Sequence, residues 1–191
     1  DQDWNSLVSS VGPCKLILST ELEPYQALIK SVIFQQLRPA SATAIFNRFK
    51  QNFDNNFPSA EKILASPESK LKESGLSFNK RKTIIEIARR VQKGELENRQ
   101  DFLMMNDSQI IEKLTKIKGI GEWTAQMLMI FNLGKLDVFP VSDFALRKNY
   151  SLFKSITSPL TMRELSKISE EWKPFRSIAA WYLWQYKLKY R

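Results

Sequence analysis

The residue types available to this chain limit the chemistry that it could perform. It contains no histidine and a single cysteine, Cys14. These counts exclude disulfide frameworks, zinc fingers and cysteine-ligated iron–sulfur clusters within these residues, and also nucleophiles that histidine activates. Any acid–base chemistry must therefore rest on Asp, Glu, Lys or Tyr.

A second kind of chemistry, the binding of phosphate, is indicated by the stretch LTKIKGIGEWTAQMLMIF at residues 114–131. Gly119 and Gly121, two of the six glycines, separate two segments of helical character. Glycine supplies the positive φ of a sharp reversal and lets the backbone come close to another molecule. The first amides of the second helix would also point outward at its positive end, where phosphate binds well. From the residues alone, an ordinary corner between two helices is an equal alternative.

The charge of the chain points to a polyanionic partner. Its 191 residues carry a net charge of +9, and the pI is near 9.6. Such an excess favours nucleic acid as a partner, with solubility alone as the simpler explanation. No apolar run is long enough to cross a bilayer and no signal peptide is visible. The low use of cysteine fits an intracellular protein. The chain begins at Asp1 without a methionine, which suggests a trimmed N-terminus.

Helices must position these residues, because apolar residues recur with helical spacing along most of the chain. The pattern is clear in residues 24–36 and again in residues 79–92. We find no convincing pair of strands. The sequence thus predicts an all-α bundle of about ten helices in two subdomains, forming a single domain over residues 1–191. Within it we expect a hairpin at about 107–131 and an Asp-bearing loop and helix at about 134–153.

Four ordered motifs carry a resemblance to a known family. The glycine-containing hairpin is followed by NLGKLDVFPVSD, a loop that ends in Asp143. Upstream lies FQQL at residues 34–37, and near the C-terminus lies WKPFRS at residues 172–177, followed by Trp184. In these motifs the chain resembles the 3-methyladenine DNA glycosylase II (alkylbase DNA glycosylase) family of the helix-hairpin-helix DNA glycosylase superfamily, from about residue 22 to its end. Many relatives have an N-terminal β domain, which we do not expect here because too little sequence precedes the matched part.

The resemblance implies that Asp143 is the catalytic residue. Cleavage of an N-glycosidic bond builds positive charge on the sugar, and a nearby carboxylate stabilises that charge and can orient water. An aspartate before the segment FALRKNY also suits a helix N-cap, and the two roles are compatible because a helix start is a rigid mount. Ser142 departs from the family, where an acid often stands. Trp123 stands at the position of the lysine of related glycosylase-lyases. An indole cannot form a Schiff base, so the resemblance implies a monofunctional enzyme.

The resemblance also implies an aromatic pocket for the base. Aromatic faces attract a cation by roughly 0.5–2 kcal/mol, and an alkylated purine is often cationic. Met127 stands where relatives can carry an aromatic residue, so we expect a roomier and less discriminating pocket. A plain position in the core is the alternative for each tryptophan. The implied pocket residues are Trp123, Trp184, Met127, Phe144 and Phe34.

Excision of a base requires the nucleotide to leave the duplex and the gap in the stack to be filled. By resemblance Gln36 is the wedge, together with Gln35, and Arg38 reaches the minor groove or a phosphate; a polar turn is the alternative. The expected phosphate ligands are Lys116, Lys118, Gly119, Gly121 and Thr124. The expected ligands of a monovalent cation, K⁺ or Na⁺, are the backbone carbonyls of Thr115, Ile117 and Gly119. No other cofactor is expected. The basic residues of NKRK at 79–82 and of ARR at 88–90 are expected to form a general electrostatic surface, with a solvated helix face as the alternative.

The sequence is therefore interpreted as a monofunctional DNA glycosylase of base excision repair that removes alkylated purines, chiefly 3-methyladenine, from double-stranded DNA. We expect a monomer in a bacterial or archaeal cytoplasm or in a eukaryotic nucleus. Two alternatives stay open: a non-catalytic protein that binds DNA structure, and a glycosylase for hypoxanthine, ethenoadenine or oxidised bases. The presence of Asp143, Trp123 and Trp184 argues against the first, and the tryptophan at position 123 argues against lyase-type members of the second.

Overall fold

A computed structural model describes residues 2–189 of the chain, with the side chains of residues 4–186. Over these residues it contains twelve α-helices and one 3-10 helix, and no strand. The all-α prediction is confirmed. No described helix combines the length and the apolar character that a membrane crossing requires. The chain divides into two compact units, Ser19–Leu128, here called the hairpin unit, and residues 2–18 with 129–189, here called the terminal unit.

The hairpin unit is built around one long amphipathic helix. Its helices are α2 (Pro24–Phe34), α3 (Pro39–Gln51), α4 (Ala60–Ala65), α5 (Glu68–Glu73), α6 (Phe78–Gln92), α7 (Arg99–Met104), α8 (Asp107–Thr115) and the first part of α9 (Glu122–Phe131). Helix α6 packs against α2, α4 and α5. It buries Ile84, Ile87 and Ala88, a stripe with the period of an α-helix. This packing makes α6 the support on which α2, α4 and α5 rest.

Helix α8 begins and ends where its sequence requires. The Asn106 side chain accepts a hydrogen bond from the Gln109 amide at 2.9 Å, and the Gln109 side chain accepts one from the Asn106 amide at 2.9 Å. This reciprocal capping box satisfies two amides that the first turn of a helix leaves unpaired. At the other end, Ile110 and Leu114 face the core and the helix stops before the segment that contains the two glycines. The hairpin therefore begins from a firmly fixed helix.

The terminal unit packs around a cluster of aromatic and aliphatic side chains. Its helices are α1 (Gln2–Val11), the end of α9, α10 (Phe144–Phe153), α11 (Met162–Ser169), a 3-10 helix (Glu170–Trp172) and α12 (Arg176–Lys189). Helix α12 packs against α1 and α10. At the centre of the cluster, the Trp172 ring meets the rings of Trp4 and Phe139 edge-on, at centroid distances of 5.1 and 5.2 Å. Helices α1 and α7 were not predicted from the sequence.

The single thiol of the chain lies on the surface. Cys14 follows α1 in an irregular segment and is exposed and unbridged. Tyr182 of α12 lies beside it, and burial raises the pKa of the Tyr182 hydroxyl. The cysteine is thus exposed on the terminal unit, next to Tyr182, a residue of its apolar cluster.

Candidate active site and nucleic-acid interface

The hairpin between α8 and α9 turns on Gly119. This residue has a φ of +95°, in the left-handed region that glycine adopts without steric cost. A Cβ at this position would collide with the Thr83 hydroxyl oxygen. That hydroxyl is buried against the hairpin and donates a hydrogen bond to the Lys118 carbonyl at 3.1 Å. Glycine is therefore required at position 119 by backbone conformation and by close packing on α6.

Gly121 has a different reason to be glycine. The sequence led us to expect a positive φ at the glycines of this turn. Gly121 does not have one. A Cβ placed on it would meet open space. Its carbonyl accepts the first hydrogen bond of α9, from the Ala125 amide at 3.1 Å. Nothing within the described chain demands glycine here, which fits a backbone kept bare for the approach of another molecule.

Two side chains of α6 and one from the residue that follows α2 hold the hairpin in place. Thr83 binds the Lys118 carbonyl, and the Arg90 guanidinium donates to the Lys116 carbonyl at 3.4 Å. The Gln35 amide nitrogen donates to the Gly119 carbonyl at 3.2 Å and to the Thr124 hydroxyl at 2.9 Å. Sequence reasoning assigned no role to Thr83, although a threonine beside the buried stripe of α6 is the kind of signal that could have found it. Arg90 was expected to belong to a general electrostatic surface; instead it binds the Lys116 carbonyl and the Glu86 carboxylate.

The residues predicted to bind phosphate divide into two groups. Gly121 and Lys118 are exposed, as such a role requires. Lys116 is exposed too, but its ammonium pairs with the Glu112 carboxylate at 2.8 Å, and this hydrogen bond holds the pKa of Glu112 below its usual value. The Thr124 hydroxyl is 3% exposed and is turned toward Gln35, so its direct contact with phosphate stays a prediction without support from this conformation.

Of the cation ligands predicted at the hairpin, two are engaged within the protein. The Ile117 carbonyl accepts a hydrogen bond from the Ile120 amide at 2.9 Å, and the Gly119 carbonyl accepts one from Gln35. The Thr115 hydroxyl donates back along α8 to the Ile111 carbonyl at 2.8 Å. Among the described residues, no group of three or more His, Cys, Asp or Glu is arranged to hold a metal ion. A carbonyl has two lone pairs, so Ile117 and Gly119 retain acceptor capacity for a hard cation.

The two glutamines after α2 have separate positions. Gln35 is half-buried and faces the hairpin, whereas Gln36 is exposed and has a φ of +54°. Arg38 is also exposed, at the N-cap of α3. The prediction grouped Gln35 with the wedge. In this structure its side chain binds the hairpin, and its role toward DNA stays a prediction. Gln36, Leu37 and Arg38 are the exposed residues of this turn.

Lys80 fixes the same turn from α6. Its ammonium donates to the Ile33 carbonyl and to the Gln35 carbonyl, at 2.8 Å each. Burial lowers the pKa of the Lys80 side chain. The sequence led us to expect Lys80 in a general electrostatic surface. Its ammonium group instead binds two backbone carbonyls of the protein. Its position four residues before Ile84 places it on the buried stripe of α6, and this spacing was the available signal.

The pocket residues predicted in the hairpin unit lie along α9 and at the end of α2. Trp123, in the first turn of α9, is 36% exposed, and Met127, one turn later, is 9% exposed. Phe34 is half-buried and meets the Phe46 ring edge-on at a centroid distance of 6.2 Å. Trp123 is therefore exposed, unlike the fully buried aromatic residues of the core, Phe49 and Phe102.

In the terminal unit, Asp143 occupies the N-cap of α10. Its Oδ1 accepts hydrogen bonds from the Ala145 amide at 2.7 Å and from the Leu146 amide at 3.2 Å. The carboxylate is half-buried, and the next residue, Phe144, is 57% exposed with the Arg147 guanidinium 5.5 Å from its ring centroid. The two cap bonds converge on one oxygen and fix the orientation of the whole group.

Trp184, the other pocket residue of this unit, is half-buried and stacks on Phe131 at 5.7 Å.

The loop that leads to Asp143 is tied to the start of α12. The Arg176 guanidinium binds the Asp137 carboxylate through two nitrogens, at 2.7 and 3.0 Å, and also binds the Asp137 carbonyl at 3.0 Å. The Ser177 hydroxyl donates to the Lys135 carbonyl at 2.7 Å and accepts from the Val138 amide at 3.0 Å. Arg176 and Ser177 of the WKPFRS motif thus clamp the loop. No local pattern in the sequence had indicated this function.

Comparisons with known proteins show the family of the chain. The family model described as HhH-GPD superfamily base excision DNA repair protein matches residues 29–174. Over 187 residues the chain is 38% identical to DNA-3-methyladenine glycosylase 1 of Schizosaccharomyces pombe, covering 97% of this chain and 82% of the relative. It is 36% identical to the alkylbase DNA glycosidase-like protein mag2 of the same organism, covering 97% and 88%. Among solved structures it is similar to the S. pombe 3-methyladenine DNA glycosylase in complex with abasic DNA, with a TM-score of 0.89 and 37% identity over 97% of this chain and 91% of that one. The chain belongs to the HhH-GPD superfamily of base excision DNA repair proteins.

Proposed function

We propose that the protein is a monofunctional DNA glycosylase that excises alkylated purines, chiefly 3-methyladenine, from double-stranded DNA. The observation that carries this proposal is the fixed carboxylate of Asp143 at the N-cap of α10. It is supported by similarity along 97% of the chain to a protein named a 3-methyladenine glycosylase, and to one solved with abasic DNA. An abasic site is the product that such an enzyme leaves behind.

In this proposal Asp143 acts on the sugar. As the bond between C1′ and the base breaks, the base departs with the electron pair and positive charge develops on the sugar ring. The ionised carboxylate stabilises that charge and orients water, whose oxygen bonds to C1′ while its proton passes to the carboxylate or to solvent. A cationic methylated purine leaves as a neutral base, so it needs little help from a general acid. This agrees with a chain that has no histidine.

Recognition and base selection are proposed to rest on different groups. The bare backbone at Gly121, the first amides of α9 and the Lys118 ammonium would bind a phosphate, since the N-terminus of a helix attracts anions. Gln36 would fill the vacated stack and Arg38 would contact the backbone or the minor groove. Trp123 and Trp184 would offer ring faces to a cationic base. Because the residue at position 123 is tryptophan, no Schiff base can form there and no lyase step is proposed.

A monovalent cation at the hairpin is a further part of the proposal. The Thr115, Ile117 and Gly119 carbonyls are oxygen donors of the kind that K⁺ and Na⁺ take, and two of them keep a lone pair as described above. When bound, such an ion would add positive charge beside a DNA phosphate. Replacing KCl by tetramethylammonium chloride at constant ionic strength should then weaken the binding of duplex DNA, as measured by fluorescence anisotropy. Equal affinity in the two salts would remove the cation from the proposal.

The proposed reaction is tested by release of free bases under single-turnover conditions. DNA that contains 3-methyladenine, 7-methylguanine, 1,N6-ethenoadenine or hypoxanthine is incubated with excess protein, and the released base is separated and quantified. We expect 3-methyladenine to be released fastest. Tight binding without release of any base would favour a non-catalytic binder of DNA structure, and preferential release of hypoxanthine or ethenoadenine would reassign the substrate.

We propose a monomer that acts inside the cell, in whichever compartment holds the DNA.

A further inference from the structure

We propose that Lys80 is a positioning residue for base flipping: its ammonium group fixes the turn that presents Gln36 to the duplex. The inference rests on the proposed function, in which Gln36 fills the gap left by the flipped nucleotide. Lys80 itself need not touch DNA.

The turn after α2 has a conformation that needs support. Gln36 has a φ of +54°, which residues with a side chain adopt only at a cost in energy. In this conformation its side chain is exposed, while the preceding Gln35 is half-buried against the hairpin. A turn of this kind relaxes readily to an ordinary conformation unless its neighbours hold it, and relaxation would redirect the Gln36 side chain.

The Lys80 ammonium supplies that support. Its 2.8 Å hydrogen bonds reach the Ile33 carbonyl, in the last turn of α2, and the Gln35 carbonyl, immediately before Gln36. The last carbonyls of a helix lack donors within the helix. A positive charge at this end also stabilises the helix by interacting with its dipole. One side chain therefore closes α2 and fixes the peptide that sets the φ of Gln36.

The same helix also holds the hairpin. Thr83, one turn after Lys80 in α6, binds the Lys118 carbonyl, and Gln35 binds the Gly119 carbonyl and the Thr124 hydroxyl. The Gln36 turn and the hairpin thus share a single mount. When the hairpin binds a phosphate, the position at which Gln36 enters the stack is fixed relative to it, and this is what a wedge requires.

Lys82 provides a matched control on the same helix. It carries the same charge but is exposed, with its ammonium over the Phe78 ring at 4.2 Å. If Lys80 served only as one of several positive charges near DNA, then Lys80→Met and Lys82→Met would have similar effects. If Lys80 positions Gln36, only Lys80→Met should impair flipping.

The experiment uses the full chain and two readouts. The first is the single-turnover rate of 3-methyladenine release. The second is the fluorescence of 2-aminopurine placed beside a tetrahydrofuran abasic analogue in a duplex, which changes when a wedge enters the stack and needs no catalysis. We expect Lys80→Met to lower the release rate about tenfold and to remove most of the fluorescence change, because small displacements of positioning groups cost this much or more. Lys82→Met should stay within about twofold of wild type for both readouts.

A double-mutant cycle identifies the route of the effect. In a Gln36→Ala background, Lys80→Met should cause almost no further loss, because the group that it positions has been removed. Lys80→Arg, which keeps donors for both carbonyls, should restore most of the activity. Should Lys80→Met fail to fold, Lys80→Gln takes its place under the same criteria. Equal losses from Lys80→Met and Lys82→Met, a wild-type response, or the same loss with and without Gln36 would overturn the proposal. Absence of base release by the wild type would instead contradict the proposed function, and the fluorescence readout would still judge Lys80.

Discussion

At the scale of single residues, Gly119 and Gly121 look alike in the sequence and differ in the structure. Gly119 is left-handed and is packed against Thr83, whereas Gly121 has ordinary backbone angles and open space where a Cβ would lie. One glycine serves the fold of the hairpin. The other serves, in our proposal, the approach of a DNA strand.

Alanine should therefore reduce stability at position 119 and DNA binding at position 121. Gly119→Ala should lower the free energy of unfolding by about 2 kcal/mol, because it combines a strained φ with a steric conflict. Gly121→Ala should leave thermal stability nearly unchanged and weaken duplex binding about tenfold, the equivalent of one hydrogen bond to a charged group. Thermal denaturation and fluorescence anisotropy measure the two effects. A Gly121→Ala variant with wild-type affinity would show that no phosphate approaches this backbone.

Asp143 has two roles that a single substitution can separate. Asparagine caps a helix about as well as aspartate does, so Asp143→Asn should keep the N-cap of α10 and the melting temperature. It removes the charge, and we expect the single-turnover rate of 3-methyladenine release to fall on the order of 10²–10³-fold, the range for losing one aimed electrostatic group. Duplex binding should persist. Excision at the wild-type rate by this variant would refute the assigned mechanism.

At the scale of elements, the loop before α10 is held in place by hydrogen bonds from the start of α12. Arg176 and Ser177, at the start of α12, bind Asp137, Lys135 and Val138 through both side chains and backbone. The loop has no repeating hydrogen-bond pattern of its own. Its shape, and with it the approach to Asp143, is imposed by the helix that follows much later in the chain.

Loss of this clamp should affect catalysis more than substrate binding. Arg176→Met removes a bidentate, mostly buried ion pair, and we expect it to reduce stability by about 2 kcal/mol. It should also lower kcat with little change in KM, because Asp143 loses its fixed position. Lys173→Met is the control, since Lys173 binds Glu170 at the surface and makes no contact with the loop among the hydrogen bonds described. Indistinguishable kcat values for the two variants would mean that the loop does not need the clamp.

Sequence reasoning succeeded where the signal was local. A cap residue before an apolar stripe predicted Asp143 at a helix start, and the glycine pair predicted a turn between α8 and α9. It did not find the Lys80 and Arg176 contacts, which join groups 45 and 39 positions apart. A lysine or arginine reads as a surface charge until the fold brings a carbonyl or a carboxylate to it. Most helices of the fold, though not α1 and α7, followed from periodicity and capping residues, but the long-range hydrogen bonds that position the site did not.

At the scale of the whole molecule, the excess of positive charge should govern the encounter with DNA. The net charge is +9, yet several lysines and arginines are already paired with carboxylates, as Lys116 is with Glu112 and Arg81 is with Glu68. Electrostatic attraction to DNA depends on the charges that reach phosphates, which is a smaller number than the composition suggests. Lys118, exposed in the hairpin, is one of the charges that we expect to reach a phosphate.

The salt dependence of binding checks this expectation. The logarithm of the association constant should fall linearly with the logarithm of salt concentration, with a slope of about −0.9 for each phosphate contacted. Lys118→Met should make the slope less steep by about 1, and Lys93→Met, at the far end of α6, should not change it. Anisotropy titrations between low and moderate salt measure both. Equal slopes for the two variants would indicate diffuse attraction without a defined phosphate contact at the hairpin.

The exposed position of Cys14 has a practical consequence for assembly. Because these residues contain no second thiol, oxidation cannot cross-link the chain to itself. It can join two copies or capture a small thiol from the medium. A dimer band that vanishes with reductant would thus report air oxidation rather than quaternary structure. Conversely, a maleimide dye would attach at a single known point, which permits distance measurements to labelled oligonucleotides without prior mutagenesis.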